Sequence, residues 1–366
     1  MGPRQRKAAC VTLPAHMSGV QLVGHGGPEM LIWCDDIPVP QPGPGQVVVR
    51  VLAAGVNNTD INTRIGWYAP EVTTATENTG GHVEAGGWGG ALDFPRVQGG
   101  DLCGRVAALG PDVSGFQLDQ RVTSQINLPR PTVKDPYAFI ALGSELDGAF
   151  AQYCLMDAAD LFDVNDSPLS DNEIAAMPCA YGTAWNLLHR AGVGPGQSVL
   201  ITGASGGVGL AAVQLATHLG ASVTGQTAPA KAAAVCAAGA KNFLNRTETP
   251  PESHFDAVID VVGGPGFAAL IRALKPGGHY AVSGAIAGPI VSADLREIYL
   301  PDRTIHGATY QPREIFATLV DLINQGAVRP LISKTYPLKD IAQAQADFAA
   351  KTYPGKLVLL LSEPEK

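Results

Sequence analysis

From residue 198 to 283 the chain alternates short apolar runs with helix-like stretches. That rhythm constrains the fold more than any other feature. Residues 198–202 read as a strand, 208–219 as a helix, 221–227 as a strand and 229–238 as a helix. Then 257–262 is a strand, 266–274 a helix and 279–283 a strand. Strands separated by single helices cannot pair as hairpins. They pair in parallel, with helices covering both faces. The first strand runs into Thr202-Gly-Ala-Ser-Gly-Gly-Val-Gly209, a glycine turn that opens a helix. Such a turn lets a pyrophosphate approach the backbone and rest on free N–H groups at the helix N-terminus. The strict spacing G-x-G-x-x-G is degraded, with Ala204, Gly206 and Gly209 in its three positions. The strand–turn–helix context makes the turn a dinucleotide signal nonetheless.

The next strand selects the nucleotide. A strand that reads the ribose 2′-hydroxyl of NAD usually ends in Asp or Glu. Here it ends Thr224-Gly-Gln-Thr227 with no acid, and Lys231 and Arg246 follow. Hydroxyls and cations suit a 2′-phosphate, which an acid would repel. NADP(H) is therefore the expected cofactor, held by Ala204, Ser205, Gly206, Gly207, Val208, Thr227, Lys231 and Arg246. Val262, Ser283 and Ala285 stand at the carboxyl edge of later strands, where ligands collect, and join that set.

Upstream the pattern is β. Residues 7–56, 95–125 and 148–156 read as short strands broken by Gly and Pro, which suggests a barrel-like unit. Ser170-Asp-Asn-Glu173 is a capping box opening a helical stretch toward 191. After 303 the alternation weakens to a helix at 312–325 and a last strand at 356–361 of β character. The expected organisation is a β unit of 1–164 and 303–366, with a nucleotide unit of 165–302 inserted between its parts. Six glycines between Gly80 and Gly90 read as a mobile loop.

Composition excludes several classes. A net charge of −8 speaks against nucleic-acid or membrane partners. No apolar run approaches the ~20 residues of a bilayer span. The start, Met1 to Lys7, lacks the apolar stretch of a signal peptide. The six cysteines form no C-x-x-C pair, so a disulfide framework and a zinc ribbon are not expected, and a cytoplasmic location is.

Five landmarks resemble the medium-chain dehydrogenase/reductase superfamily over nearly the whole chain. They are Gly55-Val-Asn-Asn-Thr-Asp60, Gly99-Gly-Asp101, Asp147-Gly-Ala-Phe-Ala-Gln-Tyr153, the 204–209 turn and Gly355-Lys-Leu-Val-Leu359. The resemblance implies a GroES-like β-barrel catalytic domain beside a Rossmann-type doubly wound sheet, with the active site in the cleft. Zinc members hold a catalytic metal with a Cys, a His-Glu pair and a later Cys. This chain has Asn57, Gly100-Asp101 and Cys179 there, and residues 125–147 contain no cysteine. The resemblance thus points to a metal-free branch, similar to quinone oxidoreductases and enoyl reductases, with Cys179 expected as a small buried hydrophobe. It implies that Asn57 lies near the nicotinamide and that Tyr68 lines the substrate cleft or donates a proton. It also implies that Tyr181 and Thr183 face the nicotinamide half, with core packing as the competing reading, and that the protein forms a homodimer or homotetramer. The stretch 69–98 is longer than the family's usual connection and is expected beside the cleft mouth as a lid, a pocket wall or a surface insertion. Asp60 and Arg64, if helical, form an i,i+4 pair.

The chemistry expected is NADPH-dependent hydride transfer to an activated C=C bond or a quinone. Tyr68 donates toward the carbonyl oxygen and Asn57 positions it. The substrate is then a small carbonyl-conjugated molecule. Two alternatives remain at this point: a metal-free aldehyde or ketone reductase, and a nucleotide-binding protein with vestigial catalysis.

Overall fold

The computed structural model describes residues 13–76 and 86–361. The strand character expected over 7–12, Cys10 and the glycines of 80–85 lie outside the described residues.

Alternation in the central segment folds as a six-stranded, all-parallel sheet. Its spatial order is Asn242–Asn245, Ser222–Thr227, Ser198–Ile201, Phe255–Asp260, Leu274–Val282 and Thr304–Gly307. The chain runs outward from the first strand, Ser198–Ile201, and then resumes on its other side at Phe255–Asp260. Ligands collect at such a reversal, outside the carboxyl ends of the strands. The strands are apolar on both faces because both are covered. Val199 and Ile201 join a core with the helices Pro178–Arg190 and Gly207–His218, whereas Leu200 and Val258 pack against Phe267–Ala273 on the far side. Gly209 lets the turn helix sit close on the strand. A Cβ there would lie 2.2 Å from the carbonyl oxygen of Gly203 and 2.6 Å from Cα of Ala204.

The remaining described residues form the β unit. Gln46–Gly55 is its axis, with every apolar side chain but Leu52 buried. It pairs with Cys103–Leu109 along one edge. Along the other it pairs first with Tyr153–Asp157 and then with Lys356–Leu360. The last strand therefore does return to complete the β sheet, with Val358 opposite Gly55. Ile332–Pro337 extends the sheet beyond it in parallel.

Several boundaries move. Thr304–Gly307 is the sixth strand of the parallel sheet, and helix Arg313–Gln325 packs on Pro178–Arg190. From this pairing and packing we place the return to the β unit beyond that helix and not at 303. The helical stretch after Ser170 is two helices, Asp171–Ala175 and Pro178–Arg190, because Pro178 lacks the N–H that would continue the first. The capping box itself is present, with Ser170 Oγ accepting from the Glu173 amide. Strand structure near 148–156 begins only at Tyr153.

Gly209→Ala should destabilise the protein by ~1–3 kcal/mol, typical of overpacking against backbone. Chemical denaturation reads this, and unchanged stability would show that the turn helix is free to move off the strand.

Candidate active site

The carboxyl ends of the parallel strands face the loops of the β unit across a cleft of about 1320 Å³. Single small-molecule sites occupy roughly 300–1,000 Å³, so this one has room for a dinucleotide with a substrate.

Ser205, Gly206, Gly207 and Val208 of the glycine turn line it, as do Thr227, Lys231, Arg246, Val262, Ser283 and Ala285. Ala204 does not. It is fully buried beneath the turn against Gly225, so its place in the fingerprint is one of packing. Thr227 Oγ1 donates to Ser205 Oγ at 2.8 Å, tying the second strand to the turn. Lys231 and Arg246 belong to no ion pair among the described residues. Burial and then the charge of Arg246 hold the Lys231 ammonium below its usual range. Two neighbouring cations on a cleft wall make a receptor for an anion. Lys231 also donates to the backbone oxygen of Lys351, which fixes its head across the cleft.

Asp260 is a support that sequence reasoning missed. It is fully buried at the end of its strand and accepts from the hydroxyls of Thr202 and Tyr280 and from the amides of Val262 (2.9 Å) and Gly263 (3.2 Å). It thereby shapes the loop that carries Val262. The available signal was an acid closing the apolar run Ala257-Val-Ile-Asp260.

The opposite wall is set by helix Asn58–Ile65. It is opened by a capping box between Asn57 and Asp60 and closed by left-handed Gly66. The turn at Gly66 swings Trp67 and Tyr68 onto the cleft, where Trp88 joins them. Ring centroids lie 5.5 Å apart for Trp67–Tyr68 and 5.4 Å for Tyr68–Trp88, both edge-to-face. The long 69–98 connection thus supplies a wall residue. It also reaches the nucleotide unit, where the Thr76 amide donates to the Ile286 carbonyl at 3.3 Å. Tyr68 donates to Thr59 Oγ1 at 3.1 Å, and burial pushes its hydroxyl up to about 12. It stays protonated at neutral pH. Thr183 lines the cleft, whereas Tyr181 turns into the core and donates to Gln214 at 3.0 Å.

Asn57 lines the cleft too, but its amide is committed. Nδ2 donates to Asp101 Oδ2 at 2.9 Å, and Oδ1 accepts from the Lys356 ammonium. Lys356 also donates to Asp101 Oδ2 at 2.9 Å and to the Val56 carbonyl at 3.1 Å. Cys179, half-buried on the cleft wall and not enclosed in the core, places its backbone N–H 2.6 Å from Asp101 Oδ1. Burial and then Asp101 push its thiol well above the usual range, so it is not a thiolate. The expected Asp60–Arg64 pair does not form. Asp60 accepts from the Asn57 amide at 2.8 Å, while Arg64 donates to Gln345 and to the Gly26 carbonyl. Among the described residues, no group of three or more His, Cys, Asp or Glu is placed to hold a metal ion. No described helix is long and apolar enough to cross a membrane.

Two family models match, the alcohol dehydrogenase GroES-like domain over 43–166 and the zinc-binding dehydrogenase model over 235–359. A putative alcohol dehydrogenase from Sinorhizobium meliloti superposes with a TM-score of 0.85 at 36% identity, covering 96% of this chain and 98% of its own. An acryloyl-coenzyme A reductase from Metallosphaera sedula is 28% identical over 87% of this chain and 93% of its own length. A quinone oxidoreductase from Sus scrofa is 29% identical over 94% and 98%. The β unit, the parallel sheet with its glycine turn and these likenesses agree, and the chain belongs to the medium-chain dehydrogenase/reductase superfamily of oxidoreductases.

The buried network has a pH signature. Burial and the nearby Asp101 charge raise the Asp60 carboxyl to about 7, against 3.8 when solvated, with the backbone donors and Lys356 offsetting part of the rise. The native state therefore binds a proton that the unfolded chain has released. This group's contribution is full below 3.8 and is lost as pH rises through about 7. Asp60→Asn keeps an acceptor for the Asn57 amide and removes the titration. Its melting temperature should fall less than the parent's between about pH 5 and about pH 8. Parallel curves for the two proteins would contradict this.

Proposed function

We propose that the protein is an NADPH-dependent, metal-free reductase that delivers hydride to a C=C bond conjugated to a carbonyl, or to a quinone. The observation that carries the metal-free reading is Lys356. Its ammonium bonds residues 56, 57 and 101 and lies beside Cys179, where the superfamily's catalytic zinc ligands would stand. A metal there would have to displace a buried cation and take a neutral thiol and an amide as ligands. Those residues do not fit it.

A dinucleotide fits the other wall. The turn 205–208 offers backbone N–H groups to a pyrophosphate, and Ser205, Thr227, Lys231 and Arg246 offer hydroxyls and charge to a 2′-phosphate. The bound reduced nicotinamide supplies the hydride. The chain supplies the rest. Tyr68 holds an O–H whose proton stays in place at neutral pH, and turning it from Thr59 Oγ1 presents it to the oxygen on which negative charge builds. One such donor is worth ~3–4 kcal/mol in the transition state. Trp67 and Trp88 flank it with apolar surface that excludes water and suits a flat conjugated acceptor. The relatives named acryloyl-coenzyme A reductase and quinone oxidoreductase fit this reading. The likeness to a putative alcohol dehydrogenase favours a second, the reduction of an aldehyde or ketone by the same donor.

Among the described residues the sheet's last strand, Thr304–Gly307, has a free edge, and Ile305, Leu300, Tyr299 and Leu295 around it are exposed. That edge supports pairing with a second copy.

Consumption of NADPH and NADH with an enone, a quinone and an aldehyde tests the assignment. We expect turnover with NADPH on the conjugated acceptors. Tyr68→Phe should lower that turnover at least about tenfold, as for a lost proton or hydrogen-bond donor. A tenfold preference for NADH, or unchanged kinetics in the variant, overturns the corresponding part.

A further inference from the structure

Lys356 does more than fill a space. It is 2% exposed, and lysine is almost never that buried unless paired. Its ammonium has three protons and three acceptors: the Val56 carbonyl, Asn57 Oδ1 and Asp101 Oδ2. Asp101, with no exposed surface, passes the linkage on through its other oxygen to the backbone N–H of Cys179, at the start of the helix that carries Thr183. One end of the residue thus fixes the catalytic wall.

The other end meets the phosphate turn. The Gly355 amide donates to the Ser205 carbonyl at 2.9 Å, and Gly355 forms a parallel bridge with Gly206. The lysine stem then passes over Gly207. A Cβ on that glycine would lie 2.8 Å from Lys356 Cδ, so only glycine there leaves the stem its path. Gly355 and Lys356 therefore touch both walls of the cleft within two residues, and the strand they begin is locked into the β sheet against Gln46–Gly55.

We propose that Lys356 is a positioning residue that sets the spacing between the bound dinucleotide's phosphate seat and the wall bearing Asn57 and Tyr68. Hydride transfer is sensitive to sub-ångström placement of the reacting atoms, so a fixed strut across the cleft has a direct consequence for turnover. Asn57 acts through this strut, because its side-chain amide donates to Asp101 and to the Gly55 carbonyl and accepts from Lys356. The inference rests on the reading that a nicotinamide dinucleotide binds the cleft.

The test compares two ligands on the full-length protein and on Lys356→Met, which keeps the stem and removes the charge. The probes are NADPH, which spans the cleft, and 2′,5′-ADP, which engages only the adenosine end. In the variant, affinity for 2′,5′-ADP should stay within about twofold while NADPH binds about tenfold more weakly, a loss of one decade in Kd. The fluorescence enhancement of the bound nicotinamide should be lost as well. Lys356→Gln, which retains donors for Asp101, should show the same split in reduced form, and it decides the matter if the Met variant does not fold. Equal weakening of both ligands, or NADPH affinity and emission unchanged, overturns the proposal. Failure of the parent protein to bind either pyridine nucleotide instead overturns the cofactor reading itself.

Discussion

The ion pair between Lys356 and Asp101 is the interaction around which this molecule is arranged. Removing two charges from water is costly, and their attraction offsets that cost only where every remaining donor and acceptor is satisfied. Here they are satisfied by the loop at 56–57 and the helix start at 179, so the pair ties those two segments to the loop at 101 and to the final strand. The pair therefore enforces a geometry that apolar packing alone would leave loose. It can exist only because the last strand returns past the nucleotide unit to pair with Gln46–Gly55.

Much of this was legible in the residues. The period of strands and helices between 198 and 283, the glycine turn and the capping box at Ser170 are local signals, and the structure contains each of them. What escaped were features whose cause is distant in sequence or weak in pattern. Lys356 and Asn57 are separated by 299 positions, and nothing in the spacing of either announces the other. Asn242–Asn245 and Thr304–Gly307 are the sheet's edge strands, where one side is free among the described residues and a continuous apolar run is not required. The fingerprint placed Ala204 against the ligand. The tight seat of the turn helix instead buries it under Gly209 and against Gly225. Asp60 and Arg64 have helix-pair spacing, but Asp60 is taken up by the Asn57 N–H at the helix cap and Arg64 by the Gly26 carbonyl and Gln345.

The two walls have different electrostatic characters, and the difference suits a hydride-transfer site. The nucleotide wall presents Lys231 and Arg246, cations without carboxylate partners among the described residues. The opposite wall is internally neutralised, with Lys356 against Asp101, a raised Asp60 carboxyl and a protonated Tyr68. A free charge there would compete for the developing charge of a reacting substrate. In the function proposed above, a closed pair leaves the Tyr68 hydroxyl as the polar group that responds.

A double-mutant cycle on Lys356→Met and Asp101→Asn, read by chemical denaturation, tests the central claim most directly. If the pair organises the cleft, each single variant strands a buried polar or charged group and loses ~3 kcal/mol or more. The double variant should then lose less than the sum by at least about 2 kcal/mol. Losses that add within about 0.5 kcal/mol would mean that the two residues act independently and that the cleft is held by other contacts.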